Sequence, residues 1–239
     1  MIWLFDLDNT LHNASLAIFP EISANMNAFL SVCMKENGDI YLSAEAANQL
    51  RIEYWKRFGA TLLGISKVLD QRARDFLEAA HRFHDLKSLL SAERGLPVLF
   101  RKLPGRKVLL TNSAYRYSAD ILKLLGVHQF FEKHIAIESM RVFGKFEPKP
   151  SGKFFRKLLA MLKVRPEDCV LVEDNIHILK KAKAMGMKTV LVTRYLNRGR
   201  FSQHSYPYPS GKRRAGRPAF IDLKMTSVRR LTHYLERFC

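Results

Sequence analysis

The chain opens with Met1-Ile-Trp-Leu-Phe and runs straight into Asp6-Leu7-Asp8-Asn9-Thr10. A short unbroken apolar run closed by a polar turn is the pattern of a strand buried on both faces, and such strands belong to parallel sheets covered by helices. A parallel sheet needs crossover connections, usually helical. These first residues therefore restrict the chain to an α/β architecture. They also set two carboxylates just beyond a strand end, the edge at which open parallel sheets bind ligands.

The rest of the chain divides by texture. After Gly95, strand-like and helix-like runs alternate. Lys107–Thr111 reads as strand, Ala114–Leu125 as helix before Gly126, His134–Glu138 as strand and Ser151–Leu162 as helix. Cys169–Val172 follows as strand, Ile176–Met185 as helix before Gly186, and Thr189–Val192 as strand. Ala219–Leu223 predicts an edge strand and Ser227–Phe238 a closing helix. Between Ser15 and Arg94 the periodicity is helical throughout. Ile22, Met26, Phe29 and Leu30 recur at helical spacing, Ser43 stands as an N-cap, and further helices are expected over Asp70–Phe83 and Leu86–Ala92. The expected fold is α/β: a Rossmann-like parallel sheet core of residues 1–14 and 95–239, with a helical cap, residues 15–94, inserted after the first strand.

Charge narrows the ligand. Forty Lys and Arg against 22 Asp and Glu leave a net charge of +18, which favours anionic substrates or polyanions. Neither zinc-finger spacing nor an RNP-like aromatic strand is present. The densest basic stretch, residues 194–218, carries Arg194, Arg198, Arg200, Lys212, Arg213, Arg214 and Arg217 among prolines and glycines, with no acid between them. A solvated loop is favoured there over an arm that contacts nucleic acid. Cys33, Cys169 and Cys239 form neither a disulfide framework nor metal-ligand spacing. No apolar segment of signal or membrane-spanning type precedes Asp6 or follows it. These features predict a cytoplasmic protein with a phosphate-bearing ligand and no membrane partner.

Four short motifs share one position, at or just beyond a predicted strand end. In Asp6-Leu7-Asp8 two carboxylates two residues apart suit a nucleophile paired with a general acid/base. Thr111-Asn112-Ser113 offers a hydroxyl and backbone N–H groups at a strand-to-helix turn, suited to cradling phosphate. Lys149, between Pro148 and Pro150, supplies a fixed cation for a phosphate and its transition state, with Lys145 and Lys153 as rivals. Glu173-Asp174-Asn175 follows a strand and offers oxygen ligands of the kind Mg²⁺ prefers. Each motif alone has an ordinary structural explanation as a turn, a helix cap or a surface charge.

Together, in this order, they resemble the haloacid dehalogenase superfamily over essentially the whole chain. The resemblance implies Asp6 as nucleophile, Asp8 as acid/base, and Thr111, Asn112 and Lys149 as phosphate-binding, with Lys149 also catalytic. It implies a Mg²⁺ site built on Asp6, Asp8 (through its backbone carbonyl) and Asp174, with Glu173 as a further candidate. Members that act as dehalogenases lack an acid where Asp8 stands, so a phosphatase is expected: an alkoxide leaving group needs a proton and a halide does not. Leu4–Leu11, Val172–Asn175 and Tyr54–Gly64 look like the pyrimidine 5′-nucleotidase branch. That branch often carries Asn where this chain has Ile178. Substrate selection is expected from Tyr54, Trp55, Arg57 and Thr61 in the cap. The resulting expectation is a Mg²⁺-dependent phosphatase of pyrimidine nucleoside 5′-monophosphates. A phosphatase of another small ester and a non-catalytic nucleic-acid binder are the alternatives.

Overall fold

The structure, a computed structural model, describes residues 1–36, 42–58, 61–68, 72–196 and 218–238. Residues 197–217, most of the basic stretch, lie outside the described residues. The chain divides into two compact units: Met1–Ala14 with Leu90–Leu196 and the C-terminal residues, and Ser15–Leu89.

The first unit is built on a sheet with six strands among the described residues: β1 (Ile2–Phe5), β2 (Arg106–Leu110), β3 (Lys133–Ile135), β6 (Cys169–Glu173), β7 (Lys188–Val192) and β8 (Leu223–Met225). Their order is β3-β2-β1-β6-β7-β8, and every pairing is parallel. The order reverses direction at β1, which pairs with β2 on one side and β6 on the other. A topological switch point of this kind opens a crevice at the C-terminal strand ends. All four residues of β1 are buried, as its apolar run requires.

Alternate residues of β1 serve opposite faces. Ile2 and Leu4 join an apolar cluster with Phe154, Leu158 and Leu162 of α8 (Gly152–Leu162) and Leu179 and Ala182 of α9 (Ile176–Ala184). On the other face Trp3 packs edge-on to Phe238, and Phe5 edge-on to Phe100 of α6 (Leu96–Lys102) and Phe131. Helices on both faces of a parallel sheet give the α/β layering expected from the sequence.

Boundaries differ in places. The strand expected over His134–Glu138 is β3 at Lys133–Ile135, followed by a 3-10 turn at Ile137–Ser139. The edge strand lies at Leu223–Met225 rather than Ala219–Leu223. The closing helix is a 3-10 segment, Val228–Arg237, interrupted at Tyr234. A small hairpin, β4 (Arg141–Val142) and β5 (Lys145–Phe146), turns through Phe143 and Gly144, both at positive φ. That is the geometry of a two-residue hairpin turn, but a Phe-Gly pair lacks the usual Asn-Gly signature. The helix expected to run to Ala92 stops at Leu89 (α5, Leu86–Leu89). The chain then pairs with the segment leaving β1: Asn13 N–H donates to Ser91 O at 2.7 Å and His12 bridges Ala92. This pairing places Leu90–Arg94 with the α/β unit.

The second unit is helical: α1 (Ile18–Glu36), α2 (Ala44–Phe58), α3 (Thr61–Val68) and α4 (Ala73–Ala80), followed by α5. Ser43 caps α2 as expected, accepting from Ala46 N–H at 3.2 Å. α1 packs on α2 and α4, and α3 packs on the same two helices. The α2–α3 contact is close enough that a Cβ on Gly64 would stand 2.5 Å from the Tyr54 ring. No helix among the described residues is long and apolar enough to cross a membrane.

Candidate active site

Three strands of the sheet end side by side and carry the polar residues singled out above. Asp6 continues β1, its N–H still bonded to Val172 O at 3.0 Å. The chain then turns through Asn9 in a left-handed conformation, φ 59°. That turn brings the Thr10 hydroxyl back to donate to Asp6 Oδ2 at 3.0 Å. Thr111 follows β2, and Glu173 and Asp174 close β6.

Lys149 reaches this edge from the loop before α8. Its ammonium donates to Asp6 Oδ1 at 2.7 Å, Leu110 O at 2.7 Å and Glu173 Oε2 at 2.8 Å. It is 4% exposed, so all three of its donors are taken up inside the protein. The rivals fall elsewhere: Lys145 is exposed on the hairpin, and Lys153 is exposed and pairs with Glu147 at 3.3 Å. The side chain of Asn112 fixes the Lys149 backbone from both sides, accepting from its N–H and donating to its carbonyl, each at 2.9 Å. Asn112 is thus occupied with the lysine loop. The Thr111 hydroxyl, buried, accepts from Ser113 N–H at 3.1 Å.

Asp6, Glu173 and Asp174, all buried, bring one carboxylate oxygen each to within 4.8 Å of one another. The donor set is all oxygen, the kind a hard divalent cation takes. Three carboxylates against one ammonium also leave excess negative charge in a buried place, which a cation would offset. Burial pushes the Asp6 carboxyl up to about 7. Glu173 and Asp8 push the same way, and Lys149 opposes them. Burial alone would lower the Lys149 ammonium, but Asp6 and Glu173 hold it above the ordinary lysine range.

The second carboxylate stands in a different setting. Burial would raise Asp8, but hydrogen bonds from His12, Ser113 and Tyr117, with the His12 charge, outweigh that and hold it below the ordinary range. Tyr117 Oη lies 2.6 Å and His12 Nε2 3.0 Å from Asp8 Oδ1, while Ser113 Oγ donates to Oδ2. No local sequence signal marks His12 or Tyr117. Tyr117 is 109 residues from Asp8, and a tyrosine on an amphipathic helix reads as core.

Ile178, where the resembling branch often has Asn, is buried in the apolar cluster beneath the sheet. Of the four cap candidates, Tyr54 is buried against Gly64, and the buried Thr61 hydroxyl donates to Arg51 O at 3.3 Å. Both are engaged in packing within the helical unit. Trp55 is half-buried and Arg57 exposed.

Comparison with known proteins gives the family. The family profile described as haloacid dehalogenase-like hydrolase matches residues 2–186. Among characterised relatives, pyrophosphatase PpaX of Halalkalibacterium halodurans is 26% identical over 79% of this chain and 81% of its own length. Phosphoglycolate phosphatase of Pseudomonas putida is 24% identical over 82% of this chain and 71% of its own. Two solved structures share the fold. One is a phosphatase from Thermococcus onnurineus, at 20% identity with a TM-score of 0.56 over 98% of this chain and 97% of that one. The other is an L-2-haloacid dehalogenase from Xanthobacter autotrophicus, at 16% identity with a TM-score of 0.56 over 98% of both chains.

Proposed function

The chain belongs to the haloacid dehalogenase-like hydrolases, and from that premise we propose that it hydrolyses phosphate monoesters, with pyrimidine nucleoside 5′-monophosphates as the first substrates to test. The observation that carries the chemistry is the contrast between two neighbouring carboxylates. Asp6 is held on Lys149 beside Glu173 and Asp174, whereas Asp8 is held by His12, Tyr117 and Ser113. Paired carboxylates in unlike settings suit a nucleophile and a separate acid/base.

In this reading an Asp6 oxygen attacks phosphorus, the bond from phosphorus to the substrate oxygen breaks, and Asp8 gives that oxygen a proton. Water then attacks the phosphoryl group on Asp6, Asp8 takes the proton back, and phosphate leaves. Asp8 is ionised in the free site; the approach of a phosphate dianion raises its proton affinity, as any nearby like charge does, and Asp8 takes up one proton from solvent before the ester bond breaks. Lys149 orients Asp6 and offsets repulsion between carboxylate and phosphate. Thr111 and the backbone N–H groups of the Asn112 turn cradle the phosphoryl oxygens, and the Asn112 side chain keeps Lys149 in place. Asp6, Glu173 and Asp174, with the Asp8 backbone carbonyl, would hold Mg²⁺. When bound, the cation would supply positive charge that favours ionised Asp6 and neutralises the phosphate.

Support for the nucleotide substrate comes from the sequence motifs alone. Of the four cap candidates, Trp55 and Arg57 are the two whose side chains are not buried; an aromatic ring can stack on a base and a guanidinium can pair with an anion. The second reading, another small phosphorylated substrate, is favoured by the printed activities of the relatives, a pyrophosphatase and a phosphoglycolate phosphatase. Phosphate release from UMP, CMP, dTMP, AMP, GMP, sugar phosphates, phosphoglycolate and pyrophosphate, with Mg²⁺ and with EDTA, separates the two. Metal-dependent release lost in Asp6→Asn and strongest on pyrimidines supports the first reading. The same pattern strongest on another ester supports the second. Absence of release from every compound overturns both and leaves a non-catalytic binder of nucleic acid.

A further inference from the structure

The atoms around Asp8 are arranged unequally, and the inequality assigns different work to its two oxygens. Oδ1 meets Tyr117 Oη at 2.6 Å and His12 Nε2 at 3.0 Å. Both partners are fully enclosed, Tyr117 2% and His12 0% exposed. An ionised carboxylate only accepts, so the Tyr117 hydroxyl and the His12 Nε2 hydrogen both point at it. Two donors fill the two lone pairs of Oδ1. His12 Nδ1 is buried and has no hydrogen-bond partner among the described residues. The hydrogen bonds of the ring are therefore those of Nε2, to Asp8 and, at 3.4 Å, to Tyr117 Oη. A buried imidazole with half its polarity unanswered is costly to keep, and what it gains at this position is its hold on Asp8.

Oδ2 is held differently. Its partner is the Ser113 hydroxyl, on the partly exposed turn after β2. A serine hydroxyl rotates and can donate or accept, so it tolerates either protonation state of the oxygen it faces. It is also small enough to give way to an incoming substrate oxygen.

We propose that Tyr117 and His12 are positioning residues that fix Asp8 Oδ1, leaving Oδ2 as the oxygen that exchanges the proton with substrate, with the Ser113 hydroxyl occupying the substrate oxygen's place until the ester binds. This rests on the phosphatase reading above. Oδ2 takes up a proton from solvent as the phosphate dianion binds; in the transfer the Oδ2–H bond breaks as the departing alkoxide takes that proton, and Oδ2 then accepts a proton from the attacking water. Oδ1 keeps both of its hydrogen bonds throughout.

The test compares an ester that needs a proton on its leaving group with one that does not. kcat/KM, which reports up to transfer of the phosphoryl group to Asp6, is measured with Mg²⁺. The substrates are the best alkyl phosphate of the wild-type panel and p-nitrophenyl phosphate. General-acid assistance is worth about 10²–10⁴-fold, so loss of its alignment in Tyr117→Phe or His12→Leu should lower the alkyl-ester value by roughly tenfold or more. The aryl ester should change by less than about threefold. His12→Gln, which returns an N–H donor near the Nε2 position, should recover part of the alkyl-ester loss. Equal losses on both esters, or no loss on the alkyl ester, overturn the assignment while the phosphatase reading stands. A wild-type protein inactive on both esters overturns that reading and this assignment with it.

Discussion

Lys149 satisfies three acceptors from three different stretches of chain, and its removal would leave two carboxylates buried against each other. Breaking a buried ion pair from one side costs about 3–5 kcal/mol, so Lys149→Met should lose that much stability in urea melts near neutral pH, along with its activity. Asp6 adds a pH dependence. Its folded value of about 7 lies above the ordinary 3.8, so between these values the folded chain holds a proton that the unfolded chain has released. Without metal, this group's contribution to stability therefore falls as pH rises from about 4 to about 7 and is level above that. A cation must displace the same proton. Mg²⁺ should accordingly raise Tm more at about pH 8 than at about pH 5.5, and thermal melts at both values check this. That Asp6, Thr111 and Asp174 would meet at one sheet edge was legible because each sits in a short motif after an apolar run, whereas Lys149, on the loop before α8, was marked by its flanking prolines. His12 and Tyr117 were not legible, because their relation to Asp8 exists only once α7 (Tyr115–Leu124) stands beside the β1 turn.

At the scale of elements, α7 and β3 meet through His134. Its Nε2 lies 2.7 Å from Ser118 Oγ, and its ring stacks on Tyr115 at 4.4 Å. Burial, with the charge of His128, lowers its pKa from 6.5 to about 4. In that window the unfolded chain takes up a proton that the folded chain refuses. The stability at stake is fully present above about pH 6.5 and is lost as pH falls toward 4. With allowance for solvent screening it is on the order of 1–3 kcal/mol. His134→Gln should flatten the fall in stability over that range in denaturant titrations. In the helical unit, Gly64→Ala would press a methyl group into the Tyr54 ring and should cost about 1–3 kcal/mol by overpacking. Long elements with clear periodicity were legible: β1, β2, β6, β7, α7, α8 and α9 lie close to where the apolar pattern puts them. The two-residue strands of the hairpin were not, since they are too short to show a period, and α5 begins at Leu86 as expected but ends after one turn at Leu89, short of Ala92.

For the molecule as a whole, the alternation of strands and helices settled the parallel sheet in advance. What it left open was where the α/β unit resumes, because that point is set by hydrogen bonds between segments far apart in sequence. The stems on either side of residues 15–89 are paired by Asn13 with Ser91 and by His12 with Ala92. A short Gly/Ser linker in place of those residues spans stems already side by side and closes a small loop at little entropic cost. The shortened protein should keep its circular-dichroism signature of mixed α/β structure, and its Mg²⁺ affinity by calorimetry should stay within about tenfold of the parent. Loss of the folded sheet in this variant would show that the helical unit is needed to form it.

The central place of β1 has a consequence during synthesis. Its first neighbour, β2, emerges about 100 residues later, and its second, β6, about 170 residues later. At roughly 5–20 residues per second this apolar segment waits on the order of 10–30 s for both partners. The helical stretch that follows it is rich in local contacts and can order during that interval. The nascent chain therefore passes through a period in which folded helices trail an unpaired strand, and that strand is the point at which chaperone capture or aggregation would act first.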